Sequence, residues 1–266
     1  MKELRLGVKI IKTLVKDQAL YSSRLLVELF TLTARCVVLL LLYHYVFLLK
    51  GGGVGGVTYP MVAWSLFFYF AFSTFRLREV SKTIMRDVQS GAVEMLFNKP
   101  ISYLRYRVWW QIGFGIYPFL ITTAAGSLLL AGAVGIPPTM KIGIFIPTLF
   151  LILLGSSILA LSIYLIVGLL SFWIEDINPV FCMVDKAVMI LGGSYLPVAL
   201  FPPFLYKLAL YSPFGASQFV THTAYPTWQL EWAKLLGIQA IWSVVLIGIV
   251  GILFARAREK LSVNGG

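Results

Sequence analysis

Apolar residues run along this chain in six long blocks, at roughly 25–49, 57–77, 108–134, 142–173, 178–200 and 232–255. Each is long enough, on the order of 20 residues, for a helix to cross the hydrocarbon core of a bilayer. In lipid every backbone polar group has to be paired within the protein, so the blocks are expected to be helices. The first block starts only after 24 residues, is too long for a signal core and lacks a small-residue cleavage site, which makes it a span rather than a secretory leader.

Between the blocks the periodicity changes. In the first sixteen residues Lys2, Arg5, Lys9, Lys12 and Lys16 recur every three or four positions, with Leu4, Val8, Ile11 and Val15 on the opposite side. That pattern predicts an amphipathic helix at the membrane surface, either orienting the chain or acting as a lever on span one. Leu77, Val80, Ile84 and Val88 extend the second block as an amphipathic helix, with Arg78, Lys82 and Arg86 off its apolar stripe. The chain turns near Gln89–Ser90, and a shorter helix runs from Gly91 to about Asn98, ended by Pro100. Segment 201–231 is apolar too, but Pro202, Pro203, Pro213 and Pro226 break it into short helices that dip into or lie on the outer leaflet.

Composition supports a membrane protein: 59% of residues are hydrophobic and 12% charged, with a mean hydropathy of +0.87. The net charge of +11 alternates with the loops instead of forming a nucleic-acid surface. Lys and Arg crowd the stretches before block one, between blocks two and three, and after block six. By the excess of positive residues on the cytoplasmic side, both termini lie inside, as six spans require. Cys36 and Cys182 sit in or beside apolar segments and indicate neither a disulfide framework nor a metal cluster.

The short helix after Gly91 carries the most specific signal. Gly91 and Glu94 share a face, as do Val93 and Phe97, giving a compact knob with an apolar ridge and one carboxylate. The ridge would supply buried area to a cytoplasmic partner and Glu94 a directional contact; a plain solvated loop is the alternative. The stretch SGAVEMLFNKPISYLRY resembles the coupling helix of type-2 ABC exporter permeases of the bacterial type. Gly91, Glu94, Leu96, Lys99 and Pro100 match that motif, and Tyr103 matches less closely. LGGSYLPVALFPPFLYKLALYSPFG at 191–215 is similar to the family's glycine-broken fifth span and proline-marked re-entrant helices.

The resemblance implies an all-α integral membrane protein with six transmembrane helices. An interfacial helix at 1–24 precedes a six-span domain at 25–256, which contains the coupling helix at about 90–100 and a re-entrant segment at about 201–226. A cytoplasmic tail follows at 257–266. The family's coupling helix sits in a groove of a separate ATP-binding subunit, which implies two such subunits and a second permease, identical or related, in the plasma membrane. Substrate would pass between the two permeases.

No ATP site is expected on this chain. GGGVGG at 51–56 lacks the following Gly-Lys-Ser/Thr, and LGGSY at 191–195 lies within an apolar block, so neither is a phosphate-binding loop. They read as a flexible turn and a helix break. No cofactor is expected here; ATP and Mg belong to the partner, and no catalytic activity is expected of this chain.

Candidate residues of the interface or path are Glu28, Thr31 and Arg35, which share a face of span one, with the helix-breaking Gly192 and Gly193. An ion near mid-bilayer costs ~2.5–3.5 kcal/mol, although Arg35 could snorkel. Asp185, Lys186, Glu175 and Asp176 could pair with the basic segment around Arg86 or with the partner. Trp109, Trp110, Trp173, Trp228 and Trp232 fall near span ends and are expected to anchor the interface. A serine hydrolase built on Ser194 and His222 is the weakest rival, and a secondary transporter or channel without an ATPase the stronger one. An apolar bundle suits an amphipathic or lipid-like cargo.

Overall fold

The computed structural model describes residues 2–264 except 21, 52, 55, 98–100, 137–142 and 144, with backbone alone for 2, 3, 22–25, 28, 53, 54 and 261–264. Helix α1 spans Lys2–Leu20 and α2 Ser22–Leu49. A two-stranded antiparallel hairpin follows, β1 Gly53–Val54 and β2 Val57–Thr58, with Gly56 at φ 80° in its turn. The glycine-rich stretch thus contributes to a small ladder, since glycine adopts left-handed backbone without steric cost. Next come α3 Tyr59–Ser73, α4 Glu79–Gln89, α5 Ala92–Phe97, α6 Tyr103–Val134, α7 Phe145–Leu169 and α8 Asn178–Leu191. Short helices α9 Pro203–Tyr211 and α10 Pro213–Ala216 lead into α11, Trp228–Asn264.

Among the described residues, four helices are long and apolar enough to cross a membrane: α2, α6, α7 (continued by a 3-10 turn to Phe172) and α11. The blocks at 57–77 and 178–200 do not form single helices of that length. With 15 and 14 residues, α3 and α8 rise only roughly 22 Å. Both end early for local reasons. After Ser73 the backbone tightens into bonds of three-residue reach, and Arg76 takes φ 56°, a left-handed conformation uncommon outside glycine. Helix α8 stops where Gly193 turns at φ 82°; a Cβ on Gly192 would come within 2.5 Å of Gln218 Cγ.

Helix α3 is buried along nearly its whole length, a continuous apolar rod inside the bundle rather than an amphipathic one. It meets α6 through a series of close contacts. Phe75 stacks on Phe119 with centroids 5.3 Å apart, and the hydroxyls of Thr74 and Thr122 are 2.9 Å apart. A Cβ on Gly115 would lie 1.9 Å from the Phe75 carbonyl oxygen, so only glycine lets α6 approach the turn that follows α3. Pro118 leaves a gap in the α6 ladder, and Thr122 donates to the Pro118 carbonyl at 2.6 Å.

On the other side, α7 packs on α11 around Gln239, which is 1% exposed. Its amide nitrogen donates to Ser156 Oγ (3.0 Å) and the Ala216 carbonyl (2.9 Å), while Gly155 leaves room for its side chain. Trp228 donates to Thr148 Oγ1 at 3.1 Å and is 1% exposed. It is a core residue, not the interface anchor its position near a span end had suggested. Helix α1 packs along the beginning of α6, with Gly7 against the Trp109 ring and Ile11 against Gly113. Lys9, Lys12 and Lys16 are exposed.

Candidate functional site

Helix α4 has the cleanest polar and apolar division in the molecule. Val80 and Ile84 are buried against α7, where Gly168 allows Ser81 Cα to come within about 3.0 Å of the position a Cβ would take. Gly91, at φ 71°, then reverses the chain with open space around it, and α5 follows for six residues.

Within α5 the structure gives different surroundings to the two faces that the sequence reading had assigned jointly to a partner. Val93 is 2% exposed, and Leu96 and Phe97 pack onto the cluster formed by α4, α6, α7 and α11. Phe97 stacks on Tyr103 at 5.4 Å and on Phe254 of α11 at 5.6 Å. The expected apolar docking ridge is therefore turned inward. Burying Val93 stabilises the chain itself by about 1.5–3 kcal/mol, and the half-buried Phe97 adds a part of that, so this area is largely spent within the chain. The outward face consists of Glu94 and Met95, the latter 73% exposed, beside the exposed Gly91. Lys99 and Pro100 lie outside the described residues.

What holds α5 in place was not read from the sequence. Asp87, near the end of α4, is 8% exposed. Its Oδ1 pairs with Arg107 Nη2 of α6, and its Oδ2 accepts the Tyr103 hydroxyl at 2.6 Å. The ion pair and the phenol bracket α5 between two longer helices. A buried carboxylate kept by both a guanidinium and a hydroxyl costs much to disturb, because losing one partner strands the other charge. Farther out, Gln89 donates to the Glu175 carbonyl (2.9 Å) and Lys260 of α11 to the Phe172 carbonyl (2.7 Å). An aspartate among seven basic residues of one loop was the available signal.

The acidic residues in and just before α8 divide between the basic segment around Arg86 and local partners. Asp185 pairs with Arg78 at 3.5 Å and accepts the Tyr164 hydroxyl at 2.9 Å, while Arg86 donates to the Lys82 carbonyl on its own helix. Lys82 lies 4.6 Å from the centre of the Phe181 ring. Asp176 accepts from the backbone and side chain of Asn178.

Of the path candidates, Thr31 and Arg35 are brought into one cavity of about 490 Å³ between α2, the α3–α4 turn and α6. Glu28 belongs to α2 by its backbone, and its side chain lies outside the described residues. Arg76 and Arg78 line the same cavity, and Arg76 sits over the Phe114 ring at 5.5 Å. Gln111, wholly buried, donates to the Arg76 carbonyl at 2.8 Å and fixes the turn. An adjoining cavity of about 600 Å³ shares Arg35 and Arg78 and reaches Ser194 and Tyr195. Gly192 and Gly193 are themselves buried and not among its lining residues. His222 is packed edge-on against Phe219 with centroids 5.1 Å apart, and burial pushes its pKa down to about 4.

A largely helical chain with four helices of bilayer length among its described residues, and a buried apolar rod between them, is a multi-pass all-α membrane protein. Residues 34–265 match the family model described as ABC-2 family transporter protein. The chain belongs to that family of ABC transporter permeases, whose members pair with ATP-binding subunits. No curated protein matches it.

Proposed function

We propose that this chain is the permease subunit of an ATP-driven exporter in the bacterial inner membrane. It crosses the bilayer six times, with α3 and α8 as the two short crossings, and both termini are cytoplasmic. Two ATP-binding subunits supply ATP and Mg, and a second permease, identical or related, completes the path. No nucleotide, cofactor or catalytic centre belongs to this chain. Helix α1 lies at the cytoplasmic surface of the membrane, and the proline-broken segment 201–226 enters the outer leaflet.

The observation that carries this reading is the construction of α5. Its inward face packs on α4, α6 and α11 through Val93 and Phe97, beside the Asp87–Arg107 pair that joins α4 to α6, while Glu94 and Met95 are exposed. Such an element passes a displacement on to the helices behind it instead of absorbing it. Nucleotide affinity that differs between two states of the motor would provide the free energy, and rigid-body tilting of the helices would change access to the path.

Glu94→Lys reverses the outward charge without touching a buried contact. In the assembled complex, stimulation of ATP hydrolysis and transport should both fall to background, with the amount of inserted chain unchanged. Wild-type transport by this variant would remove Glu94 from the coupling.

A further inference from the structure

The basic cavity does not end among its arginines. Leu32 of α2 lines both that cavity and a second, apolar one of about 170 Å³, formed with Cys36, Val37 and Leu40 of α2, Phe67 of α3 and Leu129 of α6. Helices α2, α3 and α6 contribute to both, and α4 adds Glu79, Thr83 and Arg86 to the basic one. Along α2 their linings interleave, Thr31, Leu32 and Arg35 on the basic cavity and Leu32, Thr33, Cys36, Val37 and Leu40 on the apolar one, so Leu32 is the wall they share.

Among the described residues, Arg35, Arg76, Arg78 and Arg86 line the cavity together with Glu79. Arg78 is shared between Glu79 and Asp185, and Arg86 turns back on its own helix. Arg35 makes no hydrogen bond or ion pair among the described residues, yet it stands inside the apolar span Leu29–Leu49. A cation in such a span is expensive and marks a functional position. The left-handed backbone at Arg76, held by Gln111 and by the close approach at Gly115, places further positive charge at the same wall.

We propose that α2, α3 and α6 form a binding site for an anionic single-chain amphiphile, with its acidic headgroup at Arg35 and Arg76 and its hydrocarbon chain in the groove of Val37, Leu40 and Leu129. Resting on the permease reading, this names the class of cargo taken up from the bilayer. Arginine donors match the oxygens of a phosphate or carboxylate, while a purely polar anion would leave the adjoining groove unfilled.

Trp110 lines the basic cavity and provides a probe. The full-length chain in uncharged detergent is titrated with lysophosphatidylglycerol carrying a nitroxide on its headgroup glycerol, and quenching of tryptophan fluorescence is followed. Saturable quenching is expected, with the largest part lost in Trp110→Phe. Arg35→Gln, which breaks no described contact, should raise the half-saturating concentration about tenfold. The uncharged monoacylglycerol with the same label should quench weakly, and glycerol phosphate should compete poorly. Equal quenching by the uncharged analogue, equal competition by glycerol phosphate, or an unchanged Arg35→Gln titration would overturn the proposal. So would quenching that disappears as protein concentration rises, which would mean that a second copy fills the groove. Because no ATP-binding subunit is present, failure here leaves the Glu94 test of coupling intact, and failure of that test leaves this binding intact.

Discussion

The two ends of the bundle are held together by different chemistry. At the α5 end the ties are ionic: Asp87 with Arg107 and Tyr103, Arg78 with Asp185, Lys260 on a carbonyl. At the end formed by the segment between α8 and α11 they are neutral: Gln239 on Ser156 and Ala216, Trp228 on Thr148, His222 among aromatic rings. A neutral tie that is cut leaves one polar group unpaired, whereas cutting the buried Asp87–Arg107 pair strands a charge. The first end is therefore held all-or-none by one buried pair, and the second yields by degrees.

The sharpest way to break this contrast is Asp87→Ala. It leaves Arg107 buried without its carboxylate and should cost about 3–5 kcal/mol in denaturant unfolding of the detergent-solubilised chain. Adding Arg107→Leu should recover part of that loss; no recovery would mean that the pair is not the source.

A smaller effect is expected from acid at the neutral end. His222 has an ordinary pKa of 6.5 when unfolded and about 4 in place, because burial disfavours its charged form. Between those values the unfolded chain binds more protons, so stability falls as pH falls through that window and is unaffected above it. From pH 7.5 to pH 5 the loss should be about 2 kcal/mol. His222→Leu should flatten that part of the profile, measured as unfolding midpoint against pH.

The smallest of the three is Gln239→Leu. The apolar replacement keeps most of the volume and removes donors to Ser156 and Ala216, at a cost of about 1–2 kcal/mol. A cost matching that of Asp87→Ala in the same assay would erase the difference between the ends.

Much of this molecule was legible along the chain. Helical periodicity located the stripe Val80–Ile84, because a helix on a core must repeat its apolar positions every three to four residues. Prolines and glycines announced where 201–231 and 191–195 would break. The family motif pointed to α5, whose direction was misjudged: Val93 and Phe97 look the same whether an apolar ridge faces a partner or its own protein. Periodicity says which residues share a face and nothing about what that face meets.

The sequence by itself determined that this is a helical membrane protein, because hydropathy and block length depend on composition in consecutive order. It also announced the motif around Gly91 and Glu94. Only the tertiary structure decided that α3 and α8 are short, that Asp87 reaches Arg107 twenty positions away, and that Arg35 shares a cavity with Arg76. Those facts depend on how closely helices distant in sequence approach one another, and that approach is governed by single small residues such as Gly115 and Gly168, whose role appears only when the opposing backbone is in view.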